Sequence, residues 1–98
     1  MDLYVILRRD GWRSADELRA AAERSTQVGN EEMPEDVRWI RSYVLDEGNG
    51  ALGTVCIYQA TSPEALIEHA SRAGLPATEV IPVADTVLVR PDPVPTAA

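Results

Sequence analysis

Ninety-eight residues, 45% of them hydrophobic, are enough for one globular domain, too few for two and too apolar for wholesale disorder. A net charge of −7, from 16 acidic and 9 basic residues, has the wrong sign for phosphate backbones and anionic lipid surfaces, so neither nucleic acid nor membrane is an expected partner. All 9 basic residues are arginines, which excludes Schiff-base chemistry, and the single cysteine, Cys56, closes no internal disulfide, as in a reducing cytoplasm.

The chain opens with Leu3-Tyr4-Val5-Ile6-Leu7, a run of β-formers closed by Arg8 and Arg9 and followed by an Asp10-Gly11 turn. No basic segment and apolar core precede it, so no signal peptide is expected, and no apolar run approaches the roughly 20 residues of a membrane-spanning helix. Ser14 and Glu17 match a capping box, which predicts a helix through Gln27. Leu18, Ala21, Ala22 and Val28 form its narrow inner face, and Gly29-Asn30 its stop. Glu31, Glu32, Glu35 and Asp36 around Pro34 read as a solvated acidic connector.

Residues 37–45 alternate, with Val37, Trp39, Arg41, Tyr43 and Leu45 on one face and Arg38, Ile40, Ser42 and Val44 on the other. A turn cluster, Asp46-Glu47-Gly48-Asn49-Gly50, joins this strand to a second over residues 51–59, which makes a β-hairpin. Thr61 as cap and Pro63 near the first helical position open a second helix, whose inner stripe is Leu66, His69, Ala70 and Ala73 and whose end is Gly74. Residues 79–89 supply the last strand, with Pro82 arguing for an edge or a bulge.

Strand, helix, hairpin, helix, strand is the ferredoxin-like βαββαβ pattern, an α+β sandwich with an antiparallel sheet and two helices on one face. It predicts a single domain over residues 1–90 and an unordered Pro-rich tail over residues 91–98. The uncovered sheet face predicts a homodimer.

Three residues concentrate the chemistry: Cys56 and Tyr58 on one strand and His69 on the following helix. Val55 and Ile57 read as core, which turns Cys56 and Tyr58 to the less apolar face while His69 faces the sheet. The three then meet only if the strand faces are reversed, at the sheet rim, or across a dimer. Three chemistries remain open. Cys56 and His69, with Glu68 nearby, offer a metal soft donors suited to nickel, zinc or copper, although one Cys and one His cannot close a structural zinc site. A Cys-His nucleophilic pair is the second, unaccompanied by any oxyanion-hole motif, so no residue is assigned a catalytic role. The third is a small apolar pocket lined by Trp39, Tyr43 and Tyr58, with Arg41 or His69 as its polar handle. Beside all three stands plain packing: a lone strand cysteine commonly serves as a small buried hydrophobe.

The segments Val37-Arg38-Trp39-Ile40-Arg41-Ser42-Tyr43-Val44, Cys56-Ile57-Tyr58-Gln59-Ala60 and Glu68-His69-Ala70-Ser71-Arg72-Ala73-Gly74-Leu75-Pro76 together resemble a bacterial domain-of-unknown-function family. Its members are small ferredoxin-like proteins often labelled nickel-binding protein. The resemblance covers most of residues 3–90. It implies a homodimer, Ni(II) bound at the dimer surface, and a role in nickel sequestration. The matching positions are Cys56, Tyr58, Glu68 and His69. The chain departs from the family pattern at Leu7, where members typically carry a glutamate before the arginine. The resulting expectation is a cytoplasmic nickel-binding homodimer without turnover. The alternative is a cofactor-free enzyme or small-molecule-binding protein with a pocket between sheet and helices.

Overall fold

The computed structural model describes residues 1–76 and 79–94. The chain runs β1 (Asp2–Trp12), α1 (Ala15–Gln27), a π-helical turn (Val28–Glu32), β2 (Val37–Asp46), β3 (Leu52–Ala60), α2 (Pro63–Ala73) and β4 (Glu79–Pro82). The four strands form one antiparallel sheet in the order β2-β3-β1-β4, the ferredoxin-like arrangement expected from the residue pattern.

Local chemistry explains the helix ends. Ser14 caps α1 by accepting the Glu17 N–H at 3.2 Å, and Glu17 returns the bond by accepting the Arg13 N–H at 2.8 Å. Ser62, not Thr61, caps α2 through the Ala65 N–H, because Thr61 is held by Asp36. Gly74 ends α2 in the left-handed conformation at φ 69°, where a side chain would be strained. Gly29-Asn30 does not stop the first helix. The chain continues through both in a π turn, closed by Met33 N–H to Val28 O at 3.0 Å.

Two bulges control which residues face the helices. Between Arg8 and Trp12, β1 advances four residues while β3 advances two, from Thr54 to Leu52. The expected Asp10-Gly11 turn is therefore an irregularity inside a longer strand, with Asp10 at φ 51°. Glu47 holds it, accepting the Asp10 N–H at 2.7 Å and the Arg9 guanidinium at 2.7 Å. In β2, Trp39 pairs with Tyr58 but Arg41 pairs with Ile57, so Ile40 is an extra residue. One extra residue reverses a period-2 pattern. Val37 and Trp39 consequently share the helix side, while Arg41, Tyr43 and Leu45 turn to the open face, which corrects the single face expected for all five.

The core lies between the helices and the side of the sheet bearing Tyr4, Ile6, Val37, Cys56, Tyr58 and Ala60, where Val28, Met33, Leu66 and Ala73 close over it. Val55 and Ile57 are half-buried on the opposite face with their register partners Leu7 and Val5. The faces of β3 are thus the reverse of those inferred from its apolar residues. β4 is shorter than expected, four residues ending at Pro82 on the sheet edge. Pro82 has no N–H for a further ladder bond, and the last contact is Val83 N–H to Leu3 O at 3.0 Å. Beyond it the chain reaches the opposite edge, where Asp92 accepts from Arg41 at 2.6 Å and from Tyr43 at 2.7 Å. The rest of the expected tail, residues 95–98, lies outside the described residues.

Candidate functional site

The reversed face of β3 brings two of the three singled-out residues together. Tyr58 and His69 meet edge to face with ring centroids 5.5 Å apart, and Trp39 stacks on Tyr58 at 6.0 Å. Ser25 of α1 binds both. Its hydroxyl is hydrogen-bonded to the Tyr58 hydroxyl at 3.0 Å, and its carbonyl accepts from His69 Nε2–H at 3.0 Å. A carbonyl only accepts, so the proton sits on Nε2, and the Nδ1 lone pair is left buried without a partner.

Burial holds the His69 imidazole below its ordinary pKa of 6.5, against the opposing Ser25 bond and with help from the Arg8 charge. Burial also raises Tyr58 above 10.0, partly offset by its Ser25 bond. Both rings are therefore neutral at physiological pH, which makes them hydrogen-bonding and packing groups rather than charged ones.

Cys56 has different company. Its sulfur accepts an N–H from the Arg8 guanidinium at 3.4 Å and donates to Thr54 Oγ1 at 3.4 Å. Glu68 is exposed, 3.5 Å from Arg72. Among the described residues no three His, Cys, Asp or Glu side chains converge. A metal on the Cys56 sulfur would lie against a fixed guanidinium, so Cys56, Tyr58, Glu68 and His69 do not fit one metal within a subunit.

A cavity of about 360 Å³ lies between α1 and the sheet, toward β2. It exists because α1 presents small side chains there: Ala21, Ala22 and Ser25 leave a gap that larger residues would fill. Trp39, Tyr58 and Cys56 border it, as the pocket reading expects for the first two. Tyr43 is not on its wall. The Ile40 bulge turns Tyr43 outward to Asp92, and the Arg41 guanidinium is engaged by the same carboxylate. The polar handle is instead Arg8, 2% exposed, whose Nε has no hydrogen-bond partner and which pairs with no acid among the described residues. Reading Arg8 as a strand terminator missed it. Tyr4, Ile6 and Arg8 fall on one face at period 2, and that spacing was the available signal.

The model of a family described as "Nickel responsive protein SCO4226-like" matches residues 4–83. The crystal structure of SCO4226 from Streptomyces coelicolor A3(2) superposes with a TM-score of 0.68 at 22% identity, covering 87% of this chain and 99% of that one. At that identity the likeness shows the fold. Comparison with curated proteins yields no match.

Proposed function

The chain belongs to the SCO4226-like family of nickel responsive proteins, and on that premise we propose that it is a non-catalytic nickel-binding protein. It works as a homodimer in the cytoplasm and holds nickel as cargo. The family match over residues 4–83 carries this reading. Two further observations support it. No helix among the described residues is long and apolar enough to cross a membrane. The open sheet face, with Val5, Leu7, Val55 and Ile57 half-buried and uncovered by either helix, is apolar enough to receive a second copy.

Of the four donors implied by the resemblance, Glu68 is the one a metal reaches without rearrangement; Cys56, Tyr58 and His69 are covered. The reading therefore takes nickel to sit at the surface, between two subunits. Leu7 lies on the open face, between Val55 and Glu79, so the family's glutamate would add an oxygen donor there. Calorimetric titration of the tag-free protein with nickel tests the proposal. Saturable heat is expected, with Glu68→Gln and Leu7→Glu, on opposite sides of the sheet, reporting which surface holds the metal and His69→Ala reporting whether the buried ring takes part. No heat above buffer sinks the nickel reading, and a light-scattering mass near 10.7 kDa sinks the homodimer.

A second reading is a small-molecule-binding protein using the cavity beside α1. The observation favouring it is that cavity itself, walled by Trp39 and Tyr58 and within the ordinary size range of ligand pockets.

A further inference from the structure

We propose that the cavity between α1 and the sheet binds a small organic carboxylate with an apolar body, anchored by the Arg8 guanidinium. This deepens the small-molecule reading above and is independent of the nickel reading.

Arg8 stands on β1 opposite Thr54, on the side of the sheet that faces the helices. Its side chain is among the largest fully enclosed ones in the protein. A guanidinium cannot escape burial by losing its proton, as a lysine or histidine can. Its charge must be compensated where it stands, and an uncompensated buried cation is strongly unfavourable. No described Asp or Glu lies within ion-pair distance of it. Among the described residues it donates to the Cys56 sulfur, a weak acceptor, with the neutral Tyr58 hydroxyl beside it, and its Nε is unpaired.

The cation lies beneath the cavity wall, 2% exposed, with Thr54, Cys56 and Tyr58 beside it. A carboxylate that reaches the guanidinium edge from the cavity would supply the charged acceptor that Arg8 lacks in place of the weak Cys56 sulfur. The rest of the chamber is apolar, with Trp12, Leu18, Trp39 and Val44 on its walls. One buried cation on apolar walls suits a monoanion with a hydrocarbon body better than a phosphate, whose second charge would go unmatched. Arg41, also at the cavity, does not change this count because Asp92 already neutralises it. Entry is available past Val44, which is 54% exposed on the cavity rim.

Phenylacetate, benzoate and hexanoate, each beside its neutral amide, test the assignment in titrations followed by tryptophan fluorescence, since Trp12 and Trp39 both line the chamber. At least one acid is expected to saturate the signal and to bind tenfold or more tighter than its amide. Arg8→Gln is expected to abolish that preference, with circular dichroism confirming the fold. Val44→Trp, which keeps Arg8 and blocks the entrance, is expected to abolish binding of acid and amide alike. Arg8→Met is expected to raise the melting temperature of the ligand-free protein, since it removes an unpaired buried charge. Acid and amide binding equally would overturn the anion assignment while leaving the pocket reading standing. No saturation by any probe up to about 10 mM, tenfold beyond millimolar affinity, would overturn both. A melting temperature lowered by Arg8→Met would show that the cation is already satisfied, and would also overturn the proposal.

Discussion

The Arg8 guanidinium donates an N–H to the Cys56 sulfur at 3.4 Å while its Nε finds no partner. Positions 8 and 56 belong to neighbouring strands, and both point under α1 because the sheet's helix-facing side carries Tyr4, Ile6 and Arg8 against Thr54, Cys56 and Tyr58. The same relationship accounts for what Cys56 does not do. Its sulfur is spent on Arg8 and Thr54, so it neither pairs with His69 nor presents itself to solvent.

Burial of Cys56 predicts its reactivity. In the native protein Ellman's reagent should label the thiol only as fast as the structure opens, and at once in denaturant. Rapid stoichiometric labelling of the folded protein would show an accessible thiol and remove the close packing of Cys56.

Stability should fall in acid because of His69. Its folded pKa lies below 6.5, so the unfolded chain takes up the proton first. The contribution is present in full above about pH 6.5 and is lost as pH drops toward the folded value, with a slope of at most one proton, about 1.4 kcal/mol per pH unit. Urea denaturation across this range, compared with His69→Gln, should isolate that slope. An identical pH profile in the variant assigns it to other groups.

The Ser25–Tyr58 bond should appear in a double-mutant cycle. Ser25→Ala leaves a buried phenol without its partner and should cost about 1–3 kcal/mol. Tyr58→Phe alone should cost a comparable amount, and the double variant less than the sum of the two. Strict additivity would mean that the two hydroxyls do not interact.

Gly53 should tolerate no side chain. A Cβ there would lie 2.6 Å from Glu47 Oε2 and 2.7 Å from the Arg8 carbonyl oxygen. The carboxylate can swing aside, but the backbone cannot move without disturbing the bulge. Gly53→Ala should therefore destabilise by about 1–3 kcal/mol in denaturant unfolding, the usual cost of overpacking. A neutral result would mean that the bulge is pliable.

Leu66 closes the core from α2 with no exposure. Leu66→Ala should cost about 2–5 kcal/mol, enough to threaten a domain of this size at physiological temperature. Thermal melts read this directly, and a loss under 1 kcal/mol would place Leu66 outside the tightly packed core.

The βαββαβ order, the hairpin at residues 46–50, the Ser14 cap and the Gly74 stop were all legible because each depends on near neighbours in the chain. Hydrophobic period, capping side chains and a glycine needing positive φ are local properties. Which strand face turns toward the helices was not legible. Residues 52–60 carry apolar side chains on both faces, so alternation admits two phases, and Val55 and Ile57 pointed to the wrong one. The Ile40 bulge then split one apparent face of β2 in two, sending Trp39 to the cavity and Tyr43 to Asp92. A bulge is a disagreement between two strands in how many residues they advance, and neither strand records it alone. Pairing across the sheet therefore decided that His69 meets Tyr58, that Cys56 meets Arg8, and that an arginine at the end of an apolar run is enclosed beside a cavity.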